Sequence, residues 1–179
     1  MEKTQIIRNS LLKAVSYETY RNLIDKYEAE GKSSGEEQTE ERVYYTALNQ
    51  KRYKRLDKTI EIPEEKAQFF INYPKSVCLL VITESWCGDA AQIVPVVHKI
   101  AELNPKITMK LVFRDENEEL MNLFLTNGGK AIPIVVFLDL EDKVLAHWGS
   151  RPSVATKMVE EEKAKNGKLS PEFKEELQR

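Results

Sequence analysis

The sequence predicts an α/β protein, a mixed central sheet flanked by helices and preceded by an N-terminal helical extension. Three observations predict it. The chain changes character near Ser76, with charged helical periodicity before it and Val/Ile-rich runs alternating with helical patterns after it. "SVCLLVIT" (76–83) is a continuous apolar run, as a strand covered on both faces reads. From Ser76 the element order is β-α-β-α-β-β-α. The β-α-β part implies a parallel crossover and the later ββ pair a hairpin. The expected organisation is a helical extension over 1–75, an α/β domain over 76–166 and a short C-terminal helix over 167–179.

Each element has a local reason. "SYETYRNLIDKYEAE" places Tyr20, Leu23, Ile24 and Tyr27 on one helical face, and "GKSSGEEQ" then reads as a flexible loop. Thr39 is placed to cap a second helix, with Glu40 and Glu41 in its first turn and an apolar stripe through Tyr44, Ala47, Leu48 and Leu56. Pro63 starts a third, ended by Pro74. After the first strand, a helix runs from Asp89 to Leu103 with Pro95 inside it, where a kink costs the bond to the Ala91 carbonyl. "KITMKLVF" is the second strand. Asp115 and Glu118 form a capping-box-like pair for a helix over 115–126, ended by Asn127, Gly128 and Gly129. "IPIVVFLDL" is the third strand and "KVLAHW" its antiparallel neighbour. A charged helix follows Pro152 and stops near Gly167, and Ser170-Pro171 caps and starts the last one.

Composition narrows the function classes. The chain has 179 residues, 41% of them hydrophobic, enough for one domain with a buried core. A net charge of −2, from 27 basic and 29 acidic residues, gives no global pull toward nucleic acid or membrane. Charges within "MEKTQIIRNSLLK" argue against a signal peptide or anchor, and no window approaches the roughly 18 apolar residues of a membrane helix. The expectation is a soluble, cytoplasmic protein. Two cysteines are too few for a disulfide framework. A strand between Cys78 and Cys87 would hold them too far apart to bridge, so Cys78 reads as a small core residue.

The chemistry concentrates in "VITESWCGDAAQIVP" (81–95). Cys87 stands where a strand gives way to a helix, and a helix N-terminus favours a thiolate. Glu84 and Asp89 oppose that, and Arg114 and Lys130 offset it, so sequence leaves the acidity of Cys87 open. Trp86-Cys87-Gly88, a proline eight residues after Cys87, and Ile132-Pro133 before the third strand resemble the thioredoxin family over roughly 76–165. "RDENEELMNLFLTNGGKAIP" and "WGSRP" resemble a branch of that family with an N-terminal helical extension.

The resemblance implies a thioredoxin-like fold, Cys87 as nucleophile, Pro133 as a cis-proline facing it, and a substrate groove shaped by Trp86, Gly88, Ile132 and Pro133. It also marks departures. Asp89 replaces the motif's proline, Ala90 the resolving cysteine, and Val81 a buried acid. Asp89 is then either a favourable first-turn charge or a proton acceptor beside Cys87. Without a second thiol, a mixed disulfide would have to be resolved by an external one.

The leading expectation is therefore monothiol thiol–disulfide exchange, with a protein or small-molecule thiol or disulfide as partner. The alternative is a non-catalytic module that binds a peptide or protein, and a third is a small-thiol carrier or sensor. No cofactor and no metal site is expected, and neither nucleic acid nor membrane as partner. The N-terminal helices either pack on the core or make a homodimer contact. His98, about 16 Å along the helix from Cys87, reads as surface, and His147 as structural. Lys51, Arg52, Lys54, Arg55 and Lys58 read as a solvated face or as an anion-binding surface.

Overall fold

A computed structural model describes residues 2–178. Four helices come first, α1 (Lys3–Leu11), α2 (Tyr17–Ala29), α3 (Glu40–Thr59) and α4 (Glu64–Ile71). The sheet region follows as β1 (Val77–Thr83), α5 (Gly88–Glu102), β2 (Ile107–Phe113), α6 (Glu118–Asn122), β3 (Ile134–Leu138) and β4 (Val144–Gly149). Helices α7 (Ser153–Asn166) and α8 (Pro171–Leu177) close the chain. The four strands lie in the order β2-β1-β3-β4. β1 runs parallel to β2 and antiparallel to β3, and β3 pairs antiparallel with β4. Central β1 is thus covered on both sides, and Leu80, Val81 and Ile82 are fully buried.

The N-terminal helices share this core. Val15, between α1 and α2, exchanges two backbone hydrogen bonds of 2.9 Å with Leu111, protecting the open edge of β2. Tyr20 of α2 and Tyr53 of α3 are both wholly enclosed. The Tyr20 hydroxyl lies 3.1 Å from the Tyr53 hydroxyl and 3.1 Å from Thr83 Oγ1, which satisfies three polar groups at the end of β1.

Four expectations need correction. α1 carries no strong sequence signal and was not anticipated. The buried face of α3 is not its apolar stripe, for Tyr44 is exposed, whereas Thr46, Asn49, Gln50 and Tyr53 face inward. They do so because polar backbone at the end of β1 requires partners: Asn49 Nδ2 donates to the Ser85 carbonyl and Thr46 Oγ1 bonds Ser85 Oγ. The "GKSSGEEQ" loop is pinned, with Ser33 and Ser34 buried. Ser34 N–H donates to Ser85 Oγ, and Ser85 N–H to Ser34 Oγ, both at 2.8 Å. Helix α6 is only five residues long and has no side-chain cap. The carboxylate expected to cap it, Asp115, is engaged by Arg42 and Arg114. Downstream, Asn127 (φ 51°) and Gly128 (φ 78°) turn the chain.

Candidate functional site

The site forms where β1 ends. Cys87 is the N-cap of α5, and Sγ accepts from the Ala90 N–H at 3.4 Å while lying 3.4 Å from the Ile132 carbonyl, to which the thiol donates. Cys87 is only 8% exposed. Burial, reinforced by the Asp89 charge, pushes its thiol up to about 12, against the Ala90 and Asp89 backbone N–H groups and Arg151. The helix terminus does stabilise an anion here, but loss of solvent outweighs it, and the group stays a neutral thiol near pH 7. Cys78 is also free, half-buried in β1, and burial raises its thiol too.

The remaining candidates surround it. Two guanidinium groups lie over the Trp86 rings, Arg42 at 4.4 Å and Arg114 at 4.9 Å from the ring centroids, so it is an anchored cation–π platform. Its indole Nε1 is enclosed with no hydrogen-bond partner among the described residues. Asp115 holds both arginines, at 3.3 Å and 2.8 Å. Asp89 pairs with Arg151 Nε at 2.7 Å and accepts from Gln178 Nε2 at 3.0 Å. At Gly88 a Cβ would meet Arg52 Nη1 at 3.2 Å and Gln178 Cδ at 3.4 Å, so the absent side chain makes room for both. Ile132 is buried, and the Ile132–Pro133 bond is cis. Trp86, Cys87, Gly88, Asp89, Ile132 and the end of α8 line a cavity of about 670 Å³, whose charged lining is mixed: Arg42, Arg52, Arg114, Lys130, Arg151 and Lys174 stand beside Glu37, Glu41, Asp89 and Glu175. Pro133 is buried and does not line it.

A buried carboxylate underlies the site. Val81 is apolar and enclosed, but Glu84, at the end of the same strand, is wholly buried. It accepts from the Asp115 N–H at 2.8 Å and from the Ser34 hydroxyl. Burial raises its carboxyl to about 7. A raised acid favours the folded state while protonated. The contribution is complete below the unfolded carboxyl value and is lost as pH rises from about 4.5 to about 7. Glu84→Gln should therefore flatten the pH dependence of urea-unfolding free energy across that interval. It should also leave the variant more stable than the parent at pH 8, by up to about 3 kcal/mol.

The sequence profile of the family described as Thioredoxin matches residues 35–165. The chain belongs to the thioredoxin family. The match begins before α3, so the family region includes the helix that bonds Ser85. Two solved structures share the fold. One is a protein of unknown function from Pseudomonas aeruginosa, at TM-score 0.56 and 22% identity, over 66% of this chain and 74% of that one. The other is an HIV epitope scaffold, at TM-score 0.54 and 19% identity, over 79% of this chain and 81% of that one. No curated protein matches significantly in sequence.

In this thioredoxin-family chain the structure brings Trp86, Cys87, Gly88, Asp89 and Ile132 to one cavity. Sequence reasoning did not anticipate Arg42, Arg151 or Gln178 as neighbours of the motif, since each reaches it from a distant element. Arg52 had a signal, the basic cluster, but the cluster divides. Lys51, Lys54, Arg55 and Lys58 are exposed, while Arg52 turns in toward Gly88. His98, expected at the surface, instead stacks on Tyr17 with ring centroids 3.9 Å apart. Among the described residues, no helix is long and apolar enough to cross a membrane.

Proposed function

We propose that this thioredoxin-fold chain is a non-catalytic binding module that holds an extended peptide or protein segment in the groove beside Trp86, Gly88 and Ile132. One observation carries this reading: Cys87 is enclosed as a neutral thiol that donates to the Ile132 carbonyl, with Ala90 where a resolving thiol would be. Binding does not require that thiol to ionise.

Monothiol exchange is the second reading, favoured by the Ala90 N–H directed at Sγ. In it the Cys87 thiolate attacks a substrate disulfide, one sulfur leaves as thiolate, and an external thiol then releases the mixed disulfide.

Alkylation separates the two. In Cys78→Ser, iodoacetamide should modify native Cys87 at pH 8 at least about a hundredfold more slowly than it modifies the urea-unfolded chain, because the thiolate fraction and access both fall. Incubation with oxidised glutathione should leave no mass adduct on Cys87. A native rate equal to the unfolded one, or a ready glutathione adduct, would replace the binding reading with exchange.

A further inference from the structure

The segment after Gly167 lies beyond the residues that the family profile matches, which end at 165. It folds back over the site. Leu169, Pro171, Lys174, Glu175, Leu177 and Gln178 line the same cavity as Trp86, Cys87 and Gly88. Gln178 makes the closest approach. A Cβ on Gly88 would lie 3.4 Å from its Cδ. Its Nε2 donates to Asp89 at 3.0 Å, and its carbonyl accepts from Gln92 Nε2 at 2.8 Å. The segment thus occupies part of the groove that the binding reading gives to a peptide.

Its attachments are few and replaceable. No side chain of α8 is buried, and a helix of seven residues is not stable by itself, so docking is what orders it. Among the described residues, segment 168–178 makes no backbone–backbone hydrogen bond to the rest of the chain. Its ion pair, Lys174 to Glu41 at 3.9 Å, joins exposed groups and holds little. Lifting the segment strands no charge, because Asp89 keeps Arg151 at 2.7 Å. It also returns Gln178 Oε1 to water, an acceptor enclosed when docked with no hydrogen-bond partner among the described residues. At the other end Gly167 turns with φ of 70° in open space, and Lys168 is exposed, so the joint is free of packing.

We infer that segment 168–178 is an autoinhibitory strap, docked in the groove beside Cys87 and displaced when a peptide or protein segment binds there. The inference rests on the binding reading above and concerns the regulation of that groove. Tethering is what lets so few bonds suffice. A segment on a short linker acts at an effective concentration in the mM range, so even weak docking keeps the groove closed. A partner that bonds Asp89 and Gln92 as Gln178 does, and adds contacts of its own, opens it.

The test uses the full chain. Leu177→Asp puts a charge at the half-buried end of α8 and should release the strap. By NMR, the isotope-labelled variant should bind a synthetic peptide of residues 168–178 in trans, one per chain, with Kd below about 1 mM. The amide signals of Gly88, Asp89 and Gln92 should move. The parent should bind the peptide at least about fivefold more weakly, because its own strap competes. A peptide that itself carries Leu177→Asp should not bind the variant. The variant should unfold in urea with the parental slope and a midpoint within about 0.5 M of the parent. No saturable binding to the variant by about 5 mM, or equal binding to variant and parent, would overturn the inference. So would a collapsed urea midpoint, which would make α8 a wall of the core rather than a strap. Failure of the binding reading has a separate signature, a glutathione adduct on parental Cys87, which none of these measurements produces.

Discussion

Gly149→Ala should destabilise the protein by about 3–5 kcal/mol. Gly149 has φ of 141°, where side-chain-bearing residues are strained, and an added Cβ would collide with the Pro133 carbonyl oxygen. Backbone on both sides prevents an easy escape: the same Cβ would lie 3.1 Å from Ile134 Cα, and Gly149 pairs with Ile134 at the start of β3. The strain would be delivered to the segment whose Ile132 carbonyl accepts from Cys87. Two readouts are expected together, a lower urea midpoint at unchanged slope and faster alkylation of Cys87. A stable Gly149→Ala with parental Cys87 reactivity would show that this close approach does not position the site.

Tyr53→Ala should cost about 3–5 kcal/mol, a fall in Tm of about 10 °C for a chain of this size. The ring is wholly buried, packs edge-on against Tyr20 at 5.9 Å between centroids, and carries the Arg21 guanidinium at 4.7 Å. Truncation opens a cavity between α2, α3 and β1 and strips a hydroxyl from the Tyr20–Thr83 chain. Tyr53→Phe isolates the hydroxyl and should cost only about 1 kcal/mol, because Tyr20 keeps Thr83 as a partner. The variants also examine how the N-terminal helices relate to the sheet. With a shared core, unfolding stays a single transition by far-UV circular dichroism and by tyrosine and tryptophan fluorescence. An early transition lost from the helices alone, with the sheet unaffected, would mean that they are an attachment.

The cavity beside Cys87 and a second, apolar cavity between α5 and the sheet meet at Asp89, Arg151, Leu177 and Gln178. Helix α8 and its C-cap supply two of those residues, Leu177 and Gln178, so the C-terminal segment is part of both walls.

What could be read from sequence follows a physical division. Strand and helix order came from local periodicity: the apolar run of β1, Thr39 accepting from the Arg42 N–H, Ser170 from the Phe173 N–H, and left-handed Gly167 closing α7. Capping and alternation are decided within a few residues, so sequence resolves them. The polar inner face of α3 was misread because its logic lies in the unsatisfied backbone of Ser85, thirty-six positions from Asn49. Helix α6 was overextended because Asp115 answers to two distant arginines rather than to its own helix.

The same division applies to the site. Sequence by itself determined that a lone thiol would sit at a helix N-terminus, beside Trp86 and without a resolving partner, because those are facts of order and spacing. Only the tertiary structure decided the state of that thiol. Its acidity balances helix-terminus hydrogen bonds against desolvation and the Asp89 charge, and desolvation is set by what packs over it. The Ile132 carbonyl, Arg151 and the end of α8 arrive from remote parts of the chain, and no local pattern in the sequence encodes how closely they shut out water.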